Sequence, residues 1–247
     1  MSGTSLKQHH IQLEDGDVGR YVLLPGDPGR VEVIARHLTN AVHVATNREY
    51  VTYTGELDGV RVSVTSTGIG CPSAAIAIEE LTRVGADTFI RVGTSGSIQP
   101  GTKSGELAIV TGAIRDEGTS IHYMPMEFPA VADLTVVSAL RSAAIRKGVA
   151  HRVGISQSKD SFYGEVEPEH SGVTSQLLDR WKAWEIGGAI CSEMEASAIF
   201  VISSMLKVRS GGIMLMHGEG ELGSIEPLIE TAIAGVRELI TFDAQNK

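Results

Sequence analysis

The sequence predicts an α/β fold, with a central β-sheet flanked by helices in one domain running through residues 1–247. Three observations predict it. Short β-branched runs alternate with stretches of helical period, glycine-rich turns follow several of those runs, and no repeat, low-complexity tract or Pro/Ser-rich linker divides the chain. At 247 residues, 42% of them hydrophobic and 21% charged, the chain is long enough to bury a sizeable core, on the order of 70% of its unfolded surface.

Tyr21–Pro25 reads as a buried strand. Gly26-Asp27-Pro28 is a turn that can also open a helix, here the amphipathic Arg30–Leu38. Val60–Thr65 alternates as a strand and Thr67–Gly70 is a tight turn. Ser73 is positioned to cap a helix reaching about Val84, with Ala74, Ala77, Ile78 and Leu81 on one face. Thr88–Val92 is the next strand, expected to end in a turn at Gly93-Thr94-Ser95-Gly96. Leu107–Thr111, Val153–Ser156 and Gly212–Met216 are further strands; Leu134–Lys147, Glu195–Leu206 and Ile225–Thr241 are helical by period. Asp160–Val173, rich in acids, glycine and proline, reads as a surface loop of the kind that carries sites.

Composition excludes several function classes. Lys and Arg number 21 against 30 Asp and Glu, a formal net charge of −9, which offers no field for a nucleic-acid backbone or an anionic membrane. Cys71 and Cys191 are too few for a disulfide framework and fit a reduced, cytoplasmic setting. The polar start, MSGTSLKQHH, lacks the apolar region of a signal peptide, and the longest oily stretch, Ala198–Leu206, is too short to span a bilayer.

Ligands of open α/β sheets collect at the carboxyl ends of the strands. Three glycine-rich segments lie there: Pro25–Arg30, Thr67–Gly70 and Arg91–Gly96. Glycine lets backbone N–H groups approach an anion, and Arg30, Arg48 and Arg91 beside such segments supply guanidinium forks that suit phosphate oxygens. Each taken alone also reads as a chain reversal or a surface charge. Arg91 stands out because it is embedded in an apolar strand, where an unpaired charge is costly. Thr67–Ser73 has a rival reading as a degraded dinucleotide fingerprint with Asp87 as the ribose acid, weakened by Ser73 in place of the third glycine and by Pro72 within the turn. Glu193 and Glu195 open an apolar helix. They read either as favourable charge at a helix start or, for Glu195, as an acceptor for a vicinal diol with the Met194 thioether packed on the sugar. The eight histidines lack zinc-site spacing, and no G-x-S-x-G elbow occurs.

Taken in order, Leu24–Arg30, Asn47–Tyr50, Ser66–Gly70, Arg91–Gly96, Phe128–Asp133, Asp160–Gly164 and Glu193–Ala196 resemble the segments of the nucleoside phosphorylase family, most closely its uridine phosphorylase branch. The resemblance covers nearly the whole chain from His10 onward. It implies a mixed central sheet and reversible phosphorolysis, a nucleoside and phosphate giving free base and pentose 1-phosphate. It further implies that Gly26, Arg30, Arg91 and Thr94 hold phosphate, with Arg48 contributed by a neighbouring subunit and the three arginines carrying catalysis. His10 of a neighbour, Met194 and Glu195 would hold the ribose, and Phe162 would stack on the base. Glu49, Ile69 and Ser73 match positions that hold a monovalent cation such as potassium between subunits. No organic cofactor is implied. Shared sites imply a homo-oligomer, usually a hexamer built as a trimer of dimers.

The base-reading segment departs from that branch. Where uridine phosphorylases carry a Gln and an Arg, this chain places Glu165 and His170, and His217 falls where relatives carry Asp or Asn. A carboxylate only accepts hydrogen bonds, so Glu165 suits a ring N–H or an amino group and opposes negative charge on a uracil leaving group. His217 has the chemistry to protonate a leaving base near neutral pH, or is simply a buried histidine. Uridine remains the expected substrate. The alternatives are a cytidine or purine nucleoside phosphorylase, a hydrolase using water, or a binder without turnover.

Overall fold

The computed structural model describes residues 7–246. The polar residues 1–6, part of the segment read above as lacking a signal peptide, lie outside the described residues.

In chain order the elements are β1 (Tyr21–Leu24), α1 (Gly29–Ala35), β2 (Thr39–Asn47), β3 (Tyr50–Leu57), β4 (Val60–Thr65), α2 (Cys71–Arg83), β5 (Thr88–Ser97), β6 (Leu107–Asp116), β7 (Ala130–Val131), α3 (Leu134–Lys147), β8 (His151–Lys159), α4 (Phe162–Val166), α5 (Thr174–Ile186), β9 (Cys191–Glu193), α6 (Ala196–Leu206), β10 (Arg209–His217) and α7 (Glu226–Gln245). Local chemistry sets many of the boundaries. The Asp133 carboxylate accepts the Thr135 and Val136 N–H groups at 2.9 and 3.1 Å and so starts α3, which Gly148 closes in a left-handed conformation. Asp58 and Gly59, both at positive φ, make the tight turn between β3 and β4.

The strands form one mixed sheet. β5 is its branch point. Thr88–Arg91 of β5 runs parallel to β1, and its other edge pairs with β10; at Gly96 and Ser97, beyond the reach of β1, β5 pairs instead with β9. β10, β6, β8 and β9 pair in turn and return to β5, closing a ring of five strands, while β1, β4, β3 and β2 extend as an open wing. The fork where β5 parts from β1 lies at the carboxyl ends of both strands, the place where α/β sheets hold ligands.

Helices cover both faces. α1, α3 and α7 bury Ile34, Leu140 and Val236 against one side, and α2 and α6 pack Ile78, Leu81, Ile199 and Phe200 against the other. Each such side chain removed from water contributes about 1.5–3 kcal/mol before conformational entropy is subtracted. α5 contributes no buried residue. Cys71 and Cys191 are buried free thiols. No described helix is long and apolar enough to cross a membrane.

Several expectations need correction. Ser73 does not cap α2: Gly70 occupies that position, and the Ser73 hydroxyl, inside the first turn, donates back to the Ile69 and Gly70 carbonyls, each at 3.1 Å. Gly93–Gly96 is not a turn, because pairing with β10 carries β5 straight through it. Asp160–Val173 is not an irregular loop; it contains α4, started by the Ser161 hydroxyl accepting the Gly164 N–H at 2.9 Å, and a 3-10 turn at Pro168–His170. The dinucleotide reading fails as well. Asp87 lies before β5, at the end remote from the fork, in an ion pair with Arg20 at 2.9 Å.

Candidate active site

A cavity of about 840 Å³ opens at the fork, a size that suits a small-molecule ligand. Of the residues singled out in the sequence, Gly26, Arg30, Arg91, Thr94, Met194, Glu195, Phe162, Glu165, His217, Glu49 and Ile69 line it.

Arg91 is its centre. The last β5 residue paired with β1, opposite Leu24, it carries a guanidinium only 6% exposed. Gly26 and Gly93 make room for it: a Cβ on either would stand 3.1 Å from the guanidinium, closer than a side chain normally tolerates. One guanidinium nitrogen donates to Glu195 Oε2 at 2.5 Å, another reaches the Leu24 carbonyl at 3.4 Å, and Nε has no partner among the described residues. A buried N–H left unpaired is costly, and Nε lies sealed beside Gly93; the residue as a whole still lines the cavity. Arg30, on the first turn of α1, lies at the cavity edge with Asp27 3.8 Å from its Nε.

Glu195 is held from two sides, its Oε2 by Arg91 and its Oε1 by the Gly70 N–H at 2.7 Å. Glu193, two residues earlier, accepts the Glu195 and Ala196 N–H groups at 2.8 Å each, as well as the Ser156 and Ser158 hydroxyls. It thereby satisfies the open N–H groups at the start of α6. Burial, then the neighbouring Glu195 charge, pushes the Glu193 carboxyl above its ordinary pKa. Glu193 is therefore a support for Glu195 rather than a surface charge.

At the other end of the cavity a polar cluster appears that the sequence reading missed. Lys159, the last residue of β8 and 8% exposed, pairs with Glu165 Oε2 at 2.5 Å and donates to the Ser192 hydroxyl at 2.6 Å. Ser192 also contacts Glu165 and stands 2.6 Å from Gln157 Oε1. The expectation that Glu165 opposes charge on a leaving base is corrected here, since an ammonium offsets its charge. A lysine ending a strand whose preceding residues are Ser, Gln and Ser was the available signal.

Other predicted residues lie apart. His170 is 73% exposed and pairs with Glu167 at 3.1 Å, outside the cavity lining, because the 3-10 turn directs it to the surface; as a base-reading residue of this cavity it is corrected. Arg48 is exposed at the tip of the β2–β3 hairpin, at positive φ. His10 is held by Glu80 at 2.7 Å. Burial raises the Glu80 carboxyl, but N–H groups of Ile11 and His10 and the His10 ring outweigh it, leaving Glu80 below its ordinary pKa. Neither Arg48 nor His10 lines the cavity of its own chain. Glu49 and Ser73 meet around Gly68, where a Cβ would stand 2.8 Å from Glu49 Cγ and 3.5 Å from Ser73 Oγ, and Ile69, 79% exposed, follows at the rim. Burial pushes the thiols far up, Cys191 to about 12, so neither is a nucleophile.

Comparison with known proteins identifies the family of the chain. The family model described as phosphorylase superfamily matches residues 20–238. The chain is 47% identical to a uridine phosphorylase of Treponema pallidum over 96% of each chain. It is 48% identical to a uridine phosphorylase of Thermococcus kodakarensis over 83% of this chain and 74% of that one. A guanosine phosphorylase of Halorubrum lacusprofundi is 40% identical over 86% of this chain and 83% of its own.

Proposed function

The chain belongs to the phosphorylase superfamily, and on that premise we propose that it is a nucleoside phosphorylase converting uridine and phosphate to uracil and ribose 1-phosphate. One observation carries the reading. The buried Arg91 guanidinium, clasped between Gly26 and Gly93, pairs with Glu195 and lines the cavity together with Arg30 and Thr94, so one cation stands beside both a diol acceptor and the side chains suited to an anion.

In this mechanism phosphate is nucleophile and counter-ion. Gly26, Arg30, Arg91 and Thr94 hold it beneath the sugar, joined by Arg48 of the partner subunit. Glu195 accepts from the ribose hydroxyls, Met194 packs on the ring and the partner's His10 meets the sugar. A phosphate oxygen bonds to C1′ as the bond from C1′ to the base nitrogen breaks, and that electron pair departs with the base. The protein supplies position and charge rather than a covalent intermediate. Phe162, Glu165 and His217 surround the base. Uracil and guanine, the bases of the nucleosides in the relatives' names, both present a ring N–H beside a carbonyl.

Arg48 and Ile69 are exposed, which leaves them free to meet a neighbouring chain; the proposed assembly is a homo-oligomer with shared sites, a hexamer arranged as a trimer of dimers as the resemblance implies, each chain forming one domain. Inorganic phosphate is the co-substrate, without an organic cofactor. Glu49 and Ser73 flank Gly68 and Ile69 follows it; these three residues are proposed to hold an alkali cation such as potassium between subunits. Two free buried thiols support a cytoplasmic setting. The test is uracil release from uridine with and without phosphate: release that requires phosphate and yields ribose 1-phosphate is expected. Equal release in phosphate-free buffer marks a hydrolase, and binding without release marks a non-catalytic nucleoside binder.

A further inference from the structure

Deepening the phosphorylase reading, on which it rests, we infer that Lys159 and Glu165 act together as the base-reading pair, selecting bases that present a ring N–H beside a carbonyl. The two oxygens of Glu165 are in different situations. Oε2 is engaged by the Lys159 ammonium at 2.5 Å and by Ser192. Oε1 has no donor among the described residues and faces the backbone of Gly96, where a Cβ would stand 3.2 Å from it. Gly96 lines the cavity and lies in register with His217 on β10. Glu165 Oε1 therefore lies against the end of β5, in the wall of the cavity that Phe162 also lines.

Lys159 has three N–H donors. One goes to the Ser192 hydroxyl at 2.6 Å, and the ammonium pairs with Glu165 Oε2 as a charge at 2.5 Å, so at least one donor is left for a ligand in the cavity that Lys159 also lines. Gln157 fixes the cluster from behind, its Oε1 2.6 Å from Ser192 and its Nε2 donating to Asp116 at 2.7 Å. Glu165 Oε1 accepts the ring N–H, and the remaining Lys159 proton meets the adjacent carbonyl. When the bond from C1′ to the base nitrogen breaks, its electron pair delocalises onto that carbonyl. An ammonium there stabilises the charge that an isolated carboxylate would repel.

The same geometry rejects cytosine and adenine. With the sugar fixed by Glu195 and Met194, these bases set a bare ring nitrogen against Glu165 and an amino group against Lys159, lone pair facing lone pair and donor facing donor. Of the two residues that the resembling branch carries in this segment, Glu165 takes the place of the Gln, and Lys159 provides the charge of the Arg from another position. It supplies the cation from β8 instead of from the segment after Gly164.

The experiment compares kcat/KM for uridine and cytidine, and the phosphate KM, in the wild type, Lys159→Met, Lys159→Arg and the doubly substituted Lys159→Met/Glu165→Gln protein. Expected are a strong wild-type preference for uridine and a loss of at least about tenfold in uridine kcat/KM for Lys159→Met. The phosphate KM should stay unchanged, with partial rescue by Lys159→Arg. The double variant, whose amide can match either base, should lose its uridine-over-cytidine preference by about tenfold. Wild-type turnover of cytidine equal to uridine, full uridine activity in Lys159→Met, or an unchanged preference in the double variant overturns the assignment. If no nucleoside is turned over, the phosphorylase reading itself fails. The pair is then judged by calorimetry with free uracil and cytosine: selective binding of uracil that Lys159→Met removes upholds it, and equal or absent binding overturns it.

Discussion

The Arg91 guanidinium and the Glu195 carboxylate form one ion pair at 2.5 Å, 6% and 4% exposed, so the group proposed to hold phosphate and the group proposed to hold the sugar position each other. A buried pair of this kind is held by geometry rather than by net Coulomb gain, and breaking it from one side is expensive.

Arg91→Ala should therefore fail twice. Phosphorolysis should fall at least about a hundredfold, the effect of removing a placed charge-stabilising donor. Stability should fall by about 3–5 kcal/mol, because Glu195 is left buried without its cation. Arg91→Ala combined with Glu195→Gln should recover part of the stability and none of the activity. Denaturant melts beside turnover assays check both; near-normal turnover in Arg91→Ala would remove this residue from the mechanism.

Gly93→Ala tests the space around that cation. Its new Cβ would stand 3.1 Å from the Arg91 guanidinium carbon, and only the side chain has to yield. Displacement by a few tenths of an ångström should raise the phosphate KM about tenfold with little loss of stability. An unchanged phosphate KM would mean that Arg91 is not a phosphate ligand.

Subunit mixing tests whether Arg48 serves a neighbour. Arg30→Ala and Arg48→Ala should each be nearly inactive alone. In randomly mixed dimers, half the molecules carry one chain of each kind and so one complete site, and about a quarter of wild-type activity should return. Mixtures no more active than their components would place Arg48 outside the partner's site.

Acid stability should depend on Asp243. Its carboxylate is held below its ordinary pKa of 3.8, first by the hydrogen bonds from Arg209, against burial, and further by Tyr21. The contacts are 2.6 Å to Arg209 and 2.5 Å to the Tyr21 hydroxyl, and they tie α7 to β1 and β10. A depressed carboxyl stabilises fully above its unfolded pKa and loses that contribution as pH falls through the folded value. The melting temperature should therefore drop below about pH 4, and Asp243→Asn should melt lower at neutral pH with a shallower acid slope. Parallel acid slopes for the two proteins would show that Asp243 contributes none of the effect.

Much of the scaffold was legible along the chain because it rests on local rules. Leu134–Lys147 is bounded as read, since an Asp cap and a glycine stop are written beside it. The buried face Ala74, Ala77, Ile78 and Leu81 follows from helical period. The β2–β3 hairpin escaped notice because β2 is largely exposed and its Thr-, Asn- and His-containing run lacks alternation. β9 escaped because three residues carry no period, and only its neighbours β5 and β8 make it a strand.

By itself the sequence determined the α/β class, the glycine segments at strand ends and the buried arginine, because backbone freedom, side-chain period and the cost of an unpaired charge are properties of residues and their immediate neighbours. Only the tertiary structure decided that β5 forks between β1 and β9, that Glu165 is paired with Lys159, and that His170 faces away. Those outcomes depend on which strands lie side by side and on charges that meet across residues 159 to 165 and 91 to 195. Separation along the chain gives no measure of such contacts; the packed sheet sets the distances, and the distances set the electrostatics.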